Sequence, residues 1–146
     1  MIRAVFDTNV LVSALLSPES PPARLLELAL QGKMRLIFSP QLLEEARRVF
    51  SYPKLQRTLK KRGIDRGELE EVIGKILKVA VLTQGKRLVE AIPEDPADDM
   101  VLACALEGQA DFIISGDHHL IDLEAFAGIK IVDPTTFLKA FLEEGE

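Results

Sequence analysis

The chain has 146 residues, with 18 Lys and Arg against 23 Asp and Glu, a net charge of −5 and 47% hydrophobic residues. That length fits one domain over 1–146, and the hydrophobic fraction supplies a core, so an intrinsically disordered tail protein is excluded. A single cysteine, Cys104, and two histidines, His118 and His119, leave neither an internal disulfide nor a zinc set of Cys/His type, so a bound metal would be held by oxygen atoms.

Short apolar runs alternate with helical patterns along the chain. Ile2–Phe6 is the first run of strand length, and Asp7-Thr8-Asn9 offers three capping side chains for a helix beginning near Val10. Pro22 opens a helix that Gly32 closes. Its Ala23, Leu25, Leu26, Leu28, Ala29 and Leu30 are apolar over more than one face, which suits burial or an oligomer interface. Met34–Phe38 is the second strand, Ser39-Pro40 starts another helix, and Asp65 with Glu68 three residues on forms a capping box. Val79–Thr83 reads as a third strand, and Asp95-Pro96 places a cap before a helix running to about Glu107. Asp111–Ser115 and Ile129–Val132 complete the strands, and Asp133-Pro134 opens a last helix to about Glu144. This alternation predicts an α/β fold with a mainly parallel sheet and helices on both faces. In such folds the ligand crevice lies beyond the carboxyl ends of the strands.

That geometry directs attention to Asp7, which follows the first strand immediately, and to Asp117, which follows Asp111–Ser115 after one glycine. Either alone reads equally as a loop acid or a helix cap. Two further acids join them. In the helix from Pro40, the apolar stripe of Leu42, Leu43, Ala46, Val49 and Phe50 sets Glu45 on its inner margin and Glu44 toward water. Asp98 stands at the third helical position after Asp95, on one face with Val101, Leu102 and Ala105, where a first-turn acid also suits the helix dipole or a cap shared with Asp95. Four carboxylates at one crevice raise one another's pKa unless a cation compensates. Oxygen ligands without Cys suit Mg²⁺ or Mn²⁺, which polarises a phosphoryl group and acidifies a water, so phosphodiester hydrolysis needs no protein nucleophile.

The motif series resembles the PIN-domain nucleases, most closely the small prokaryotic members treated as toxin components of toxin–antitoxin pairs. The resemblance rests on Phe6-Asp7-Thr8-Asn9-Val10 at the start, Ser39-Pro40-Gln41-Leu42-Leu43-Glu44-Glu45 leading into Tyr52-Pro53-Lys54, and Asp95-Pro96-Ala97-Asp98-Asp99. It continues in Asp111-Phe112-Ile113-Ile114-Ser115-Gly116-Asp117 and in Ile129-Lys130-Ile131-Val132-Asp133-Pro134. The resemblance implies a three-layer α/β/α sandwich with a parallel sheet of about five strands, and a metal-dependent endoribonuclease acting on single-stranded RNA. It places the catalytic and metal-binding acids at Asp7, Glu45, Asp98 and Asp117. Thr8, Asn9 and Ser115 fall on accessory polar positions, and Asp99 is a further candidate to share the metal. It also implies a homodimer and, for toxin-like members, a small antitoxin partner. His118 and His119 lie outside the shared acidic set and are expected to be solvated turn residues.

Segment 47–66 holds eight basic residues and one acid, and here RNA phosphates would find Lys60, Lys61 and Arg62. A solvated helix face is the other meaning of such a run. Two alternatives stand beside the nuclease. In haloacid-dehalogenase-type phosphatases an Asp after the first strand is the nucleophile, the role Asp7 would take, but their second Asp two residues on is Asn9 here. The chain is otherwise a non-catalytic module binding RNA or protein. The N-terminus lacks a signal-peptide pattern and no run approaches the ~18 apolar residues of a membrane helix, so a cytoplasmic location without membrane association is expected.

Overall fold

The computed structural model describes residues 1–89 and 96–144. Strand β1 (Arg3–Phe6) leads into α1 (Thr8–Leu16) and α2 (Pro21–Leu30), then β2 (Arg35–Phe38), α3 (Pro40–Phe50), α4 (Pro53–Lys61), α5 (Arg66–Val79) and β3 (Val81–Leu82). The second half runs α6 (Pro96–Glu107), β4 (Phe112–Ile114), α7 (His118–Ile121), β5 (Ala125–Phe126), β6 (Ile129–Val132) and α8 (Pro134–Glu143). The strands form one sheet in the order β3-β2-β1-β4-β6-β5, parallel except for the antiparallel β5–β6 pair.

Local chemistry accounts for most element starts. Ser20, Ser39, Asp65 and Asp133 cap α2, α3, α5 and α8 by accepting the backbone N–H of Ala23, Leu42, Glu68 and Thr136. Pro21, Pro40, Pro53 and Pro134 occupy first-turn positions where a missing N–H costs nothing. The cap expected at Asp95 lies outside the described residues. Ala4, Val5, Leu36, Ile37, Ile113 and Ile114 are fully or almost fully buried, because a sheet with helices on both faces leaves neither side of its central strands in water.

The sheet is one strand larger than the resemblance implies. Ala125–Phe126 pairs with β6 while Phe126 packs against the core, and the left-handed backbone at Ala127 (φ 52°) and Gly128 (φ 83°) makes the tight return. The third strand shortens to two residues. In α2 the surplus apolar face is covered within the chain. Leu25, Leu26 and Ala29 are buried, Leu28 and Leu30 pack against the core, and the helix contacts α1, α5 and α8. Burial therefore accounts for that face, and an oligomer interface is not needed to explain it. A smaller apolar cluster of Phe50, Leu59, Leu69 and Ile73 ties α4 to α3 and α5. Among the described residues no helix is long and apolar enough to cross a membrane.

The topology fixes where a site can form. From β1 the chain winds outward through β2 to β3, then returns to the other side of β1 for β4 and β6, so the switch of direction falls between β1 and β4. Loops leaving the two carboxyl ends diverge there and open a crevice.

Candidate active site

The β1–β4 register pairs Phe6 with Ile114, and the next residue on each strand, Asp7 and Ser115, steps off the sheet side by side. Asp7 is buried and donates its backbone N–H to the Ile114 carbonyl at 3.1 Å. Its side chain is the N-cap of α1, with Oδ1 accepting from the Val10 N–H at 2.9 Å, while Oδ2 accepts from the Ser115 hydroxyl. Ser115 Oγ in turn accepts the Asp117 N–H at 2.9 Å. A continuous hydrogen-bonded path therefore links Asp7 to the Asp117 loop. The capping and site readings of Asp7 describe one arrangement, since a helix N-terminus beside a strand end favours a carboxylate there.

Asp98 reaches the same place from α6, where it is buried with Val101, Leu102 and Ala105. Asp117 caps the short helix α7 by accepting the His119 N–H at 2.8 Å. That cap turns His119 back over the crevice, with Nδ1 3.8 Å from Asp98 Oδ2 and 3.7 Å from Asp117 Oδ1. Asp98, Asp117 and His119 each present a ligand atom within 4.8 Å of the others. The His119 separations of 3.7 and 3.8 Å would fit around one ion with bonds of about 2.0–2.2 Å. His119 is exposed, as expected of a solvated residue, and it also stands beside the two acids. Its sequence signal is the Asp117 cap, because a side chain capping the N–H two residues on holds that residue beside it.

Glu45 is buried on α3 while its neighbour Glu44 is exposed, and α3 packs on α1 and α6, the helices that Asp7 opens and that carry Asp98. Glu45 is not one of the three convergent ligands. Arg48, one turn on, holds both of its oxygens. Asp99, next to Asp98 on α6, lines a cavity of about 500 Å³ between α6 and residues 85–89, with Met100, Ala103 and Glu107. Thr8 and Asn9 form the first turn of α1, Thr8 half-buried and Asn9 exposed.

Burial pushes the Asp7 carboxyl above its ordinary value. The Ser115 and Val10 hydrogen bonds oppose the shift, and the nearby Asp117 carboxylate adds to it. The sign of the stability effect follows. Between the ordinary value near 3.8 and the raised folded value, the folded state keeps a proton that the unfolded chain releases, so stability falls as pH rises through that window and stays lower above it. Asp7→Asn keeps an oxygen for the Val10 cap, so in EDTA this variant should melt above wild type at neutral pH and converge with it below about pH 4. Melting curves from pH 3.5 to 8 check this, and a constant difference across that range would refute it.

Burial pushes the Cys104 thiol up to about 12, and both Asp7 oxygens are engaged as acceptors.

In comparison with known proteins, a family model described as PIN domain matches residues 3–119, a span that contains Asp7, Glu45, Asp98, Asp117 and His119. The chain is also similar to an uncharacterized protein of Methanocaldococcus jannaschii, MJ1680, at 29% identity over 151 aligned positions, covering 99% of this chain and 92% of that protein.

Proposed function

Because the chain belongs to the PIN-domain family, we propose that it is a divalent-metal-dependent endoribonuclease that hydrolyses phosphodiesters of single-stranded RNA at the crevice between β1 and β4. PIN domains are typically nucleases that use divalent metal ions. The observation that supports the reading most is the convergence of Asp98, Asp117 and His119 at the topological switch point, beside the buried Asp7.

The donor set fits Mg²⁺ or Mn²⁺: two carboxylates and an imidazole suit a first-row ion such as Mn²⁺, and the carboxylates alone suit Mg²⁺. In this reading Asp98, Asp117 and His119 would hold the ion together with Asp7 and Glu45, the two acids the resemblance adds to the set. A divalent ion there supplies Lewis acidity toward the phosphoryl group and acidifies a water. The chain's residues do the rest by placement. Ser115 orients Asp7 and anchors the Asp117 loop, so the acids are held before substrate arrives rather than gathered by it.

Several cations of segment 47–66 remain on the surface for RNA phosphates. Lys60 and Lys61 lie in the last turn of α4, whereas Arg62 donates to the Leu16 carbonyl at 2.5 Å and Arg47 pairs with Glu70 at 3.1 Å. Lys60 and Lys61 therefore serve RNA more freely than Arg62. The same proposal includes a toxin role, a small antitoxin covering the crevice, a homodimer and a cytoplasmic location. Its support for these is the resemblance of the motif series.

The direct test incubates purified protein with a labelled pool of single-stranded RNA and with a duplex of the same composition. Cleavage of the single strands in Mn²⁺, stopped by EDTA, is the expected result. An intact pool in both Mn²⁺ and Mg²⁺ would leave a binding module as the better reading.

A further inference from the structure

We propose that Arg48 is a substrate-phosphate ligand of this site, held in reserve by Glu45 until a cation draws that carboxylate away. The inference rests on the nuclease reading above. The Arg48 guanidinium donates from Nε and Nη2 to Glu45 Oε1, at 2.9 and 2.5 Å, and from Nη2 to Oε2 at 2.9 Å. Both oxygens of the carboxylate are thus occupied by one arginine, and a metal ion that uses Glu45 must share or displace it.

The two halves of the pair sit in different surroundings. The Glu45 side chain is 8% exposed and that of Arg48 is 63% exposed, so the carboxylate faces the interior while the guanidinium stands in solvent. An exposed guanidinium gains little from any one anion and exchanges partners readily. Its planar fork fits phosphate as well as it fits carboxylate. Of the neighbouring arginines, Arg47 pairs with Glu70 on α5, an acid as exposed as itself, and Arg62 donates to the Leu16 carbonyl of α1. Arg48 is paired with an acid that the nuclease reading assigns to the site itself. Charge balance gives the pair its logic. Without an ion Arg48 neutralises a buried carboxylate, and with an ion bound the carboxylate has another cation and the arginine is released toward an incoming phosphate. Divalent ions and RNA then favour each other's binding, and that coupling runs through Arg48.

The test uses the full chain and two titrations. In calorimetry with Mn²⁺ and no RNA, Arg48→Gln should bind the ion about three- to tenfold more tightly, because a competing positive charge is gone. Arg47→Gln, which removes the same charge one position away, should change Mn²⁺ affinity less than about twofold. In fluorescence anisotropy with a 5′-labelled single-stranded RNA in Ca²⁺, its intactness checked on a gel, Arg48→Gln should bind about tenfold more weakly, with a salt slope smaller by about one. A residue that only braced α3 would move both affinities the same way. Wild-type values in either titration, or weaker Mn²⁺ binding, overturn the role of Arg48 while leaving the nuclease reading in place. Wild-type protein that takes up no Mn²⁺ and cuts no RNA overturns both.

Discussion

Glu45→Gln is expected to slow RNA cleavage by on the order of 10²-fold or more, the scale of losing one electrostatic stabiliser of a transition state. Glu44→Gln should leave the rate within about twofold. The two residues are adjacent on one helix and chemically identical, yet Glu45 is buried toward the packed side of α3 and Glu44 is in water. A substitution at either removes one negative charge, so a general field effect would lower both rates alike. Stability separates the cases further. Glu44→Gln is a surface change expected to stay within about 0.5 kcal/mol. Glu45→Gln ends an ion pair whose arginine is mostly exposed, so neither variant should unfold under assay conditions. Rates measured at saturating Mn²⁺ on one RNA decide the matter. Equal rates would leave Glu45 as a core-boundary residue.

Much of the frame was legible because short-range chemistry announced it. Ser39-Pro40, Asp65 and Asp133-Pro134 mark helix starts by capping and proline placement, and the structure begins α3, α5 and α8 there. The positions of Asp7 and Asp117 after apolar runs followed from the rule that ligand crevices open at strand carboxyl ends. The remaining features depend on partners distant in sequence. Ala125–Phe126 is a strand only because β6 lies beside it, and two residues carry no period. The polar helix α4 shows in sequence as a basic run, and only Leu59 within it is buried. The Ser115–Asp7 bond depends on a register between strands 108 residues apart. The place of His119 beside Asp98 and Asp117 comes from α7, a helix of four residues too short for an apolar pattern. The attachment of Arg48 to Glu45 depends on side-chain geometry that a run of basic residues does not announce.

The adjacent acids of α6 provide the sharpest contrast. Asp98 points into the crevice with Asp117 and His119, and Asp99 lines the separate cavity with Met100 and Glu107. A ligand that binds only the folded state raises stability by about 2.7 kcal/mol at a hundred times its Kd. Wild-type protein should therefore melt at higher temperature as Mn²⁺ is added. Asp99→Asn should show the same rise and retain cleavage. Asp98→Asn should lose most of the rise and on the order of 10³-fold in cleavage rate. The melting curve against Mn²⁺ concentration for these three proteins is the most direct test of a metal centre built on Asp98 and Asp117. The account predicts a rise for wild type and Asp99→Asn with a nearly flat response for Asp98→Asn. An undiminished rise in Asp98→Asn would contradict it.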